Sequence, residues 1–448
     1  MREVKDSGVE WIGEIPADWN IGKTLYALSM PITDGPHETP ELFDEGIPFV
    51  SAEAVSCGNG HIDFEHIRGF ISQDFYEECC KKYIPEMHDI YMIKSGATTG
   101  KVAIVETQKL FTIWSPLAVF RTNPKKCFYE YLYYFIQSDA YQKQIENKWT
   151  YGTQQNIGMR TLEKLMICFP SIDQQINIAD YLDIKCSKID EIIEKQQVII
   201  EKLKEYKLSI ITEAVTKGLN PDVEMKDSGN IEIGKIPSIS RPTKLKYLCN
   251  TQGRIGFKGY TTTDLVDEGE GAYTLGASHL NNGKIDLTDP VFISWEKYYE
   301  SPEIMVKQND ILIVQRGSTI GKVAIVDKNY GEVTINPSLV LINKIHIDSK
   351  YLLYALSARY IINYINLIGT TTAIPMISQK QINDLVVIVP PDSIQISVVK
   401  YLDEKCGKID ANILKKQKLI DKLQEYKNSL STKLSQAKRR CSSCLILM

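Results

Sequence analysis

Two stretches of this chain are copies of one another. Residues 171–217 read SIDQQINIADYLDIKCSKIDEIIEKQQVIIEKLKEYKLSIITEAVTK, and residues 391–437 read PDSIQISVVKYLDEKCGKIDANILKKQKLIDKLQEYKNSLSTKLSQA. When one stretch is shifted by 220 positions, Tyr-Leu-Asp at 181–183 falls on the same three residues at 401–403. Chance does not produce such agreement over this length, so the sequence indicates an internal duplication.

Leucine, isoleucine and other apolar residues recur every seven positions in both copies, which is typical of helices that pack along a seam. The first row is Leu182, Ile189, Gln196, Leu203 and Ile210, repeated as Leu402, Ile409, Lys416, Leu423 and Leu430. We predict a second row three positions further on, formed by Ile192, Ile199 and Tyr206, and by Asn412, Leu419 and Tyr426. About 45 residues make a helix of roughly 65 to 70 Å.

We expect these two helices to pack on each other in antiparallel orientation, because a whole domain lies between them in the sequence. Polar residues on the seam can fix its register, although they cost stability. Isoleucines at 193, 200, 413 and 420 widen the apolar stripe and leave surface for a third helix from a partner protein. The alternative is two ordinary amphipathic helices, each buried on its own domain. The candidate residues for helix pairing or a partner interface are Ile189, Gln196, Leu203, Tyr206, Ile409, Lys416, Leu423 and Tyr426.

The length of 448 residues and the duplication predict two globular units plus the helices. The predicted bounds are 1–170 and 219–389 for the globular units, and 171–218 and 390–440 for the helices. Short β-rich runs punctuated by Gly, Pro and Asn alternate with Tyr-rich helical stretches in each globular unit, which predicts a mixed α/β fold. Outside a few islands the two units diverge. The chain therefore presents one scaffold twice, with different surfaces.

Composition indicates an ordinary soluble protein, with 43% hydrophobic and 24% charged residues and a net charge of −4. The N-terminal residues contain no signal peptide, and no run of 18 apolar residues occurs, so we expect a cytoplasmic protein without a membrane span. The ten cysteines are scattered and predict free thiols in a reducing compartment. Cys441 and Cys444 have the spacing of half a zinc site, but no second pair completes it.

The most similar islands in the two units are SGATTGKVAIV at 95–105 and RGSTIGKVAIV at 316–326. A nucleotide-binding phosphate loop needs four residues between its glycines, Ser or Thr after its Lys, and a following helix. These islands have three residues, then Val, then a predicted strand. We interpret them as turns whose backbone N–H groups and lysines approach a nucleic-acid phosphate, or else as plain tight loops between strands. The candidate DNA-binding residues are Ser95, Thr98, Thr99, Lys101, Arg316, Ser318, Thr319 and Lys322.

A polar run follows later in each unit, YGTQQNIGM at 151–159 and IGTTTAIPM at 368–376. Thr, Gln and Asn side chains hydrogen-bond base edges and phosphates, although ordinary loops contain them too. The additional candidates for DNA binding are Thr153, Gln154, Gln155, Thr370, Thr371 and Thr372.

Catalytic motifs are missing from the sequence. The Asn-Pro-Pro-aromatic tetrapeptide of amino-methyltransferases is reduced to Asn336-Pro337-Ser338, and the six histidines form no repeated metal-ligand pair. We therefore expect no metal and no catalytic residue in this chain. A nuclease built from scattered carboxylates and a lysine remains an alternative.

The chain resembles the specificity (S) subunit of Type I restriction-modification systems. The resemblance rests on KDSGVEWIGEIPADW near the start, the Gly-rich turn before KVAIV in each half, and the passage from Pro170 through QQINIADYLD into the heptad helix. The family pattern in this passage is Pro, then Glu-Gln-x-x-Ile and a Tyr-Leu pair. Gln174 stands in place of the Glu, and the second half has Ile394-Gln395 with Val398 for the Ile.

The resemblance implies two duplicated target-recognition domains, separated by two long antiparallel coiled-coil helices in a pseudo-two-fold arrangement. Each domain would read one half of a bipartite double-stranded DNA site. Two methyltransferase (modification) subunits would dock on the helices and bring S-adenosylmethionine. Restriction/translocase subunits would bring ATP and Mg, so the chain itself would bind no cofactor and catalyse nothing. The alternatives are a methyltransferase or nuclease, and a coiled-coil scaffold that binds proteins only.

Overall fold

The computed structural model describes residues 3–151, 155–254, 259–369 and 374–435. The chain divides into two compact units. The first unit combines Met1–Gln196 with Gln417–Met448, and the second unit is Gln197–Lys416. The first long helix is Ile172–Lys217 and the second is Asp392–Ser435. Each long helix therefore contributes one segment to each unit.

The first unit is built on an antiparallel four-stranded sheet whose three longer strands are buried at every position. Burial on both faces explains why these strands read as continuous apolar runs. The sheet has the order Thr33–Asp34, Leu117–Phe120, Ile90–Ile93, Val102–Ile104. In a second sheet, Ile47–Val50 pairs antiparallel with Phe70–Ile71 and parallel with Thr112–Ile113. The remaining strands form antiparallel pairs: Val4–Asp6 with Glu14–Pro16, Asn20–Lys23 with Met166–Phe169, and Thr150–Tyr151 with Gln155–Asn156. The shorter helices are Ala52–Cys57, Gln73–Cys80, Tyr129–Ile136, Asp139–Glu146 and Met159–Lys164, with a 3-10 turn at Thr24–Ala27.

The second unit repeats this plan with a larger sheet. Six strands have the order Asn250–Gly253, Leu339–Asn343, Ile311–Val314, Val323–Ile325, Gly283–Ile285, Leu280–Asn281. Four more have the order Leu265–Val266, Phe292–Ser294, Gly271–Leu275, Val333–Ile335. Two antiparallel pairs join Met225–Asp227 with Lys235–Pro237 and Arg241–Lys244 with Val386–Val389. The shorter helices are Trp295–Tyr299, Ser349–Leu356, Arg359–Gly369 and Gln379–Asn383, with 3-10 turns at Leu245–Tyr247, Thr262–Asp264, Ala277–His279 and Pro302–Ile304. The predicted mixed α/β fold and its duplication are confirmed.

The two long helices pack together within the second unit. Ile210 and Ala214 of the first helix share one buried core with Leu402 and Cys406 of the second. The orientation is antiparallel, because Val215 and Ile394 line one small cavity while Lys207 contacts Asp410, which lies further along the second helix. The predicted antiparallel pairing therefore holds in this unit.

An ion pair joins the long helices in each unit. In the second unit the ammonium of Lys207 lies 2.7 Å from both carboxylate oxygens of Asp410. In the first unit Lys427 contacts both oxygens of Asp190 at the same distance. The four residues are related by the 220-residue repeat. The same bidentate contact between a lysine and an aspartate is thus present in each unit.

The second apolar row of the seam was predicted one residue too early. Ile192, Tyr206 and Tyr426 are 41%, 58% and 40% exposed. The buried row lies one position later, at Cys186, Ile193 and Ile200 in the first helix and at Cys406 and Ile420 in the second. In the first row, Ile189 and Ile409 are buried, and Gln196, Leu203, Lys416 and Leu423 are partly buried.

A buried glutamine attaches each globular part to the start of its long helix. The Gln175 amide accepts a hydrogen bond from the Phe128 N–H at 2.8 Å and donates to the carbonyl of Pro170 at 3.0 Å. Gln395 makes the corresponding bonds to the Asp348 N–H and the Pro390 carbonyl in the second unit. A buried amide with its donors and acceptor satisfied fixes local geometry strongly.

Tyrosines of the shorter helices add hydrogen bonds to the last strand and to the long helix of each unit. The Tyr131 hydroxyl donates to the Cys168 carbonyl at 3.1 Å, and the Tyr351 hydroxyl donates to the Ile388 carbonyl at 2.7 Å. Tyr134 also donates to Asp183 of the first long helix, as Tyr354 does to Asp403 of the second. Each globular part is therefore joined to its helix by a repeated set of hydrogen bonds.

Among the described residues, no helix has the length and apolar character needed to cross a membrane. The eight described cysteines are free thiols. Burial raises the pKa of the Cys186 and Cys406 thiols on the helix seam to about 11. These two thiols are therefore protonated near neutral pH. Cys441 and Cys444 lie outside the described residues.

Candidate nucleic-acid interface

The Gly-rich island of the first unit is the tight connection between strands Ile90–Ile93 and Val102–Ile104. Its two glycines have positive φ angles, +100° for Gly96 and +94° for Gly100, which residues with a side chain rarely adopt. The Gly100 N–H closes the turn on the carbonyl of Ile93 at 2.8 Å. A strand follows the lysine instead of a helix, so this is no nucleotide-binding phosphate loop.

The polar run lies directly against this turn. The Gly96 N–H donates to the carbonyl of Gln155 at 3.0 Å, and the Ile157 N–H donates to the carbonyl of Lys94 at 2.9 Å. Ser95 and Asn156 form a β-bridge between these two bonds. Two segments that the sequence identified separately thus form one surface, which we call the first recognition edge (95–101 and 155–157).

The second unit builds the same surface from different residues. The Gly317 N–H donates to the carbonyl of Pro375 at 3.0 Å, and the Ile377 N–H donates to the carbonyl of Gln315 at 2.9 Å. Arg316 and Met376 form the intervening β-bridge. We call this surface the second recognition edge (316–322 and 375–377). The backbone plan is shared, while the side chains it presents differ.

The glycine N–H groups at both edges are engaged within the protein. The N–H groups of Gly96, Gly100, Gly317 and Gly321 all donate to backbone carbonyls. These four glycine N–H groups are therefore engaged inside the protein, and the approach of the turns' other backbone N–H groups to a phosphate stays a prediction.

The predicted side chains differ in their availability. Lys101, Gln155, Arg316, Ser318 and Thr319 are exposed, whereas Ser95, Thr98, Thr99 and Lys322 are partly buried. The Thr99 hydroxyl is used inside the turn, because it donates to the Gly96 carbonyl at 2.7 Å. The candidates outside the described residues are Thr153, Gln154, Thr370, Thr371 and Thr372.

A buried charge cluster lies beneath the first recognition edge. The Asp34 carboxylate is fully buried at the end of its strand. Lys82 contacts one of its oxygens, and Lys94 and His37 each lie 3.3 Å from the other. Sequence reasoning did not identify Asp34, because about 60 residues separate it from the turn and only the pairing of its strand brings it there.

The second unit has a buried cation near the corresponding place. Arg254 directly follows the edge strand Asn250–Gly253 and donates to the Ile335 carbonyl at 3.0 Å and to the Thr334 hydroxyl at 3.2 Å. Its guanidinium lies 5.4 Å from the centre of the Tyr260 ring. Burial lowers the pKa of Arg254.

The exposed side chains of the two edges are suited to binding a ligand through hydrogen bonds and charge. Exposed ammonium, guanidinium, amide and hydroxyl groups are the donors and acceptors that contact phosphates and base edges. Within the described part of the chain, no group of three or more His, Cys, Asp or Glu side chains is arranged to hold a metal ion.

Comparison with known families agrees with this interpretation. The chain matches the sequence profile of the family described as Type I restriction modification DNA specificity domain, once over residues 36–202 and again over residues 255–425. Because these two matches cover more than half of the sequence, the chain belongs to this family. Each match contains one recognition edge.

The chain is also similar to individual proteins and solved structures. The Type I restriction enzyme EcoBI specificity subunit of Escherichia coli is 26% identical over 178 residues, which is 39% of this chain and 37% of that protein. A solved structure from work on complex assembly and conformational transition of the type I R-M system has a TM-score of 0.67 at 15% identity, covering 94% of this chain and 98% of the other. At that identity the similarity establishes the shared fold. The HsdS subunit from Thermoanaerobacter tengcongensis gives a TM-score of 0.46 at 15% identity, covering 94% and 97% of the two chains.

Proposed function

We propose that this chain is the DNA sequence-specificity subunit of a Type I restriction-modification complex. Each unit reads one half of a bipartite double-stranded DNA site with its recognition edge. The observation that carries the proposal is that the two edges share one backbone plan and present different side chains. Ser95 stands where the second edge has Arg316, and Asn156 stands where it has Met376. Two domains that read different half-sites need a shared backbone plan together with different side chains.

Direct readout of DNA requires side chains that carry hydrogen-bonding groups or charge. Base edges in the major groove present a distinct pattern of donors and acceptors for each base pair. Arg316, with its five N–H donors, is suited to a guanine, whereas Gln155 is suited to an adenine. The chain itself carries out no chemistry in this proposal. The net charge of −4 is compatible with DNA binding if partner subunits supply part of the phosphate contacts.

The long helices dock two methyltransferase subunits in this proposal. A row of exposed apolar side chains beside the buried seam supports it: Ile192, Ile199 and Tyr206 on the first helix, and Leu419 and Tyr426 on the second. Apolar side chains aligned on a helix face are the usual contact for another amphipathic helix. The methyltransferase subunits bring S-adenosylmethionine, and the restriction/translocase subunits bring ATP and Mg.

The DNA-reading role is tested by selecting bound sequences from random duplex DNA, with this chain co-purified with its methyltransferase partner. We expect two short half-sites separated by a gap of fixed length and unread sequence. One continuous site would contradict reading by both units. No enrichment of any sequence would favour the protein-binding scaffold instead.

The docking role is tested by Ile199→Asp, which places a charge in the exposed apolar row. We expect loss of co-purification with the methyltransferase subunit and little change in the thermal stability of the free chain. Val198→Asp is the matched control, because Val198 is 49% exposed and lies outside that row. Equal retention of the partner by both variants would contradict docking at this row.

A further inference from the structure

The buried Asp34 carboxylate is the convergence point of three basic side chains in the first unit. One oxygen contacts Lys82, and the other has Lys94 and His37 at 3.3 Å. Asp34 is fully buried, and the side chain of Lys94 is only 12% exposed. A carboxylate removed from water in this way is stable only when cations compensate its charge. The same holds for the Lys94 ammonium.

Lys94 also lies at the junction of the segments that form the first recognition edge. Its carbonyl accepts the Ile157 N–H of the polar run at 2.9 Å, and its N–H donates to the Pro116 carbonyl at 2.8 Å. Ser95, the next residue, begins the Gly-rich turn. The position of this one residue therefore sets the position of both segments relative to the sheet.

Among the described residues, the corresponding place in the second unit has no such ion pair. Asp34 pairs with Ala118 across the strands, and Gly253, which has no side chain, pairs with Val340 in the equivalent position. Gln315 replaces Lys94 before the second turn, and its amide donates to the Pro337 carbonyl at 2.9 Å. The second unit thus has a neutral hydrogen bond where the first unit has the Asp34–Lys94 pair.

We propose that Asp34 and Lys94 are positioning residues for the first recognition edge. The buried ion pair fixes Lys94, and Lys94 fixes the turn and the polar run in the geometry that reads one half-site. This inference rests on the proposed function of the two edges. The inference applies to the first unit alone.

The test uses Asp34→Asn and Lys94→Gln in the full chain co-purified with its methyltransferase partner. Bound sequences are selected from random duplex DNA and compared with those of the unaltered chain. We expect the half-site of the first unit to become degenerate, with about tenfold weaker discrimination at its bases, which corresponds to the loss of one well-placed contact. The half-site of the second unit and the gap remain unchanged. If Asp34→Asn does not fold, Lys94→Gln carries the test.

Lys82→Gln is the matched control. Lys82 contacts the same carboxylate, but its ammonium has no bond to either segment of the edge among the described residues; its second contact is the Gly35 carbonyl. We expect Lys82→Gln to leave both half-sites as in the unaltered chain. If it reproduces the degenerate half-site, Asp34 acts through stability alone and the inference is overturned.

The remaining outcomes separate the inference from the function on which it rests. If the unaltered chain selects no bipartite site, the proposed function fails. If it selects one and neither Asp34→Asn nor Lys94→Gln changes it, only the positioning role is overturned. Degeneracy in both half-sites also overturns the assignment to the first unit.

Discussion

Two aspartates at equivalent positions before the central strand have opposite surroundings. Asp89 of the first unit is fully buried and accepts two hydrogen bonds from the Arg121 guanidinium, each of 2.8 Å. Asp310 of the second unit is also buried but accepts only the Lys307 N–H among the described contacts, at 2.8 Å. Burial raises the pKa of Asp310 to about 6. Asp89 thus has a guanidinium as its hydrogen-bond partner, whereas Asp310 is bonded to a main-chain N–H.

Asp310→Asn is predicted to stabilise the second unit at about pH 8 by about 1 kcal/mol, because solvent screening reduces the full effect of the shift. The folded-state pKa of about 6 lies above the unfolded value of about 3.9. Proton uptake therefore stabilises the folded protein fully below about pH 4, and this stabilisation is lost as the pH rises through 6. Thermal unfolding across this range measures it. Asp89→Asn is the control and is expected to destabilise, because it leaves Arg121 without its main partner. A lower melting temperature for Asp310→Asn at about pH 8 would contradict the assignment.

The ion pair between Lys207 and Asp410 is predicted to contribute about 1 kcal/mol in a double-mutant cycle, with less at high salt. Its geometry is bidentate, and Lys207 is only 21% exposed. The exposed pair Lys204–Glu201 on the same helix is the control, for which we expect roughly 0.3 kcal/mol. Chemical denaturation of the single and double alanine variants measures both couplings. Equal coupling energies for the two pairs would mean that the partial burial of Lys207 adds nothing to the stabilisation by Lys207–Asp410.

At the scale of the element, the sequence predicted the long helices well and one row of their seam badly. The repeat of Leu182, Ile189 and Leu203 located the first row. The second row was ambiguous, because isoleucines occupy adjacent positions at 192–193 and 199–200. Because tyrosine is more apolar than lysine, the sequence favoured Tyr206 over Lys207 as the next residue of the second row. The structure places Lys207 nearer the seam, because Asp410 compensates its charge, and this compensation comes from a residue about 200 positions away.

The recognition edges show a similar limit. Glycine spacing and polar composition identified both the turn and the polar run of each unit. Their adjacency depends on backbone hydrogen bonds between residues about 60 positions apart, such as Gly96 and Gln155. Asp34 and Arg254 carried no local pattern at all, because their roles follow from the strand register.

Leu203→Asp is predicted to destabilise the second unit by roughly 2 kcal/mol or more, since it places a charge against an apolar core. Leu423→Asp, at the repeat-equivalent position, is expected to act in the same way on the first unit. Gln197→Asp is the control, because it adds the same charge at an exposed position of the same helix. Denaturation curves followed by circular dichroism measure the difference. Unchanged stability in both Leu variants would show that these residues do not contribute to the seam.

At the scale of the whole molecule, the proposed function gives each unit one half-site to read. Replacing residues 20–165 with the same domain of a related protein is predicted to change one half-site and leave the other half-site and the gap intact. The physical reason is that each recognition edge is held by hydrogen bonds inside its own unit. Selection from random duplex DNA, followed by sequencing, shows which half-site has changed. A change in both half-sites would refute the independence of the units.

The attachment of each globular part to its helix has a consequence for how such genes change. Gln175, at the start of the helix, bonds the N–H of Phe128 and the carbonyl of Pro170, so only main-chain groups receive this side chain. Every residue type supplies a carbonyl, and every type except proline supplies an N–H. An incoming domain therefore needs no matching side chain at Phe128 in order to be held. If each unit reads one half-site as proposed, recombination between diverged genes at this boundary would yield folded chimeras, and a new DNA specificity would arise in a single crossover event instead of through many point substitutions.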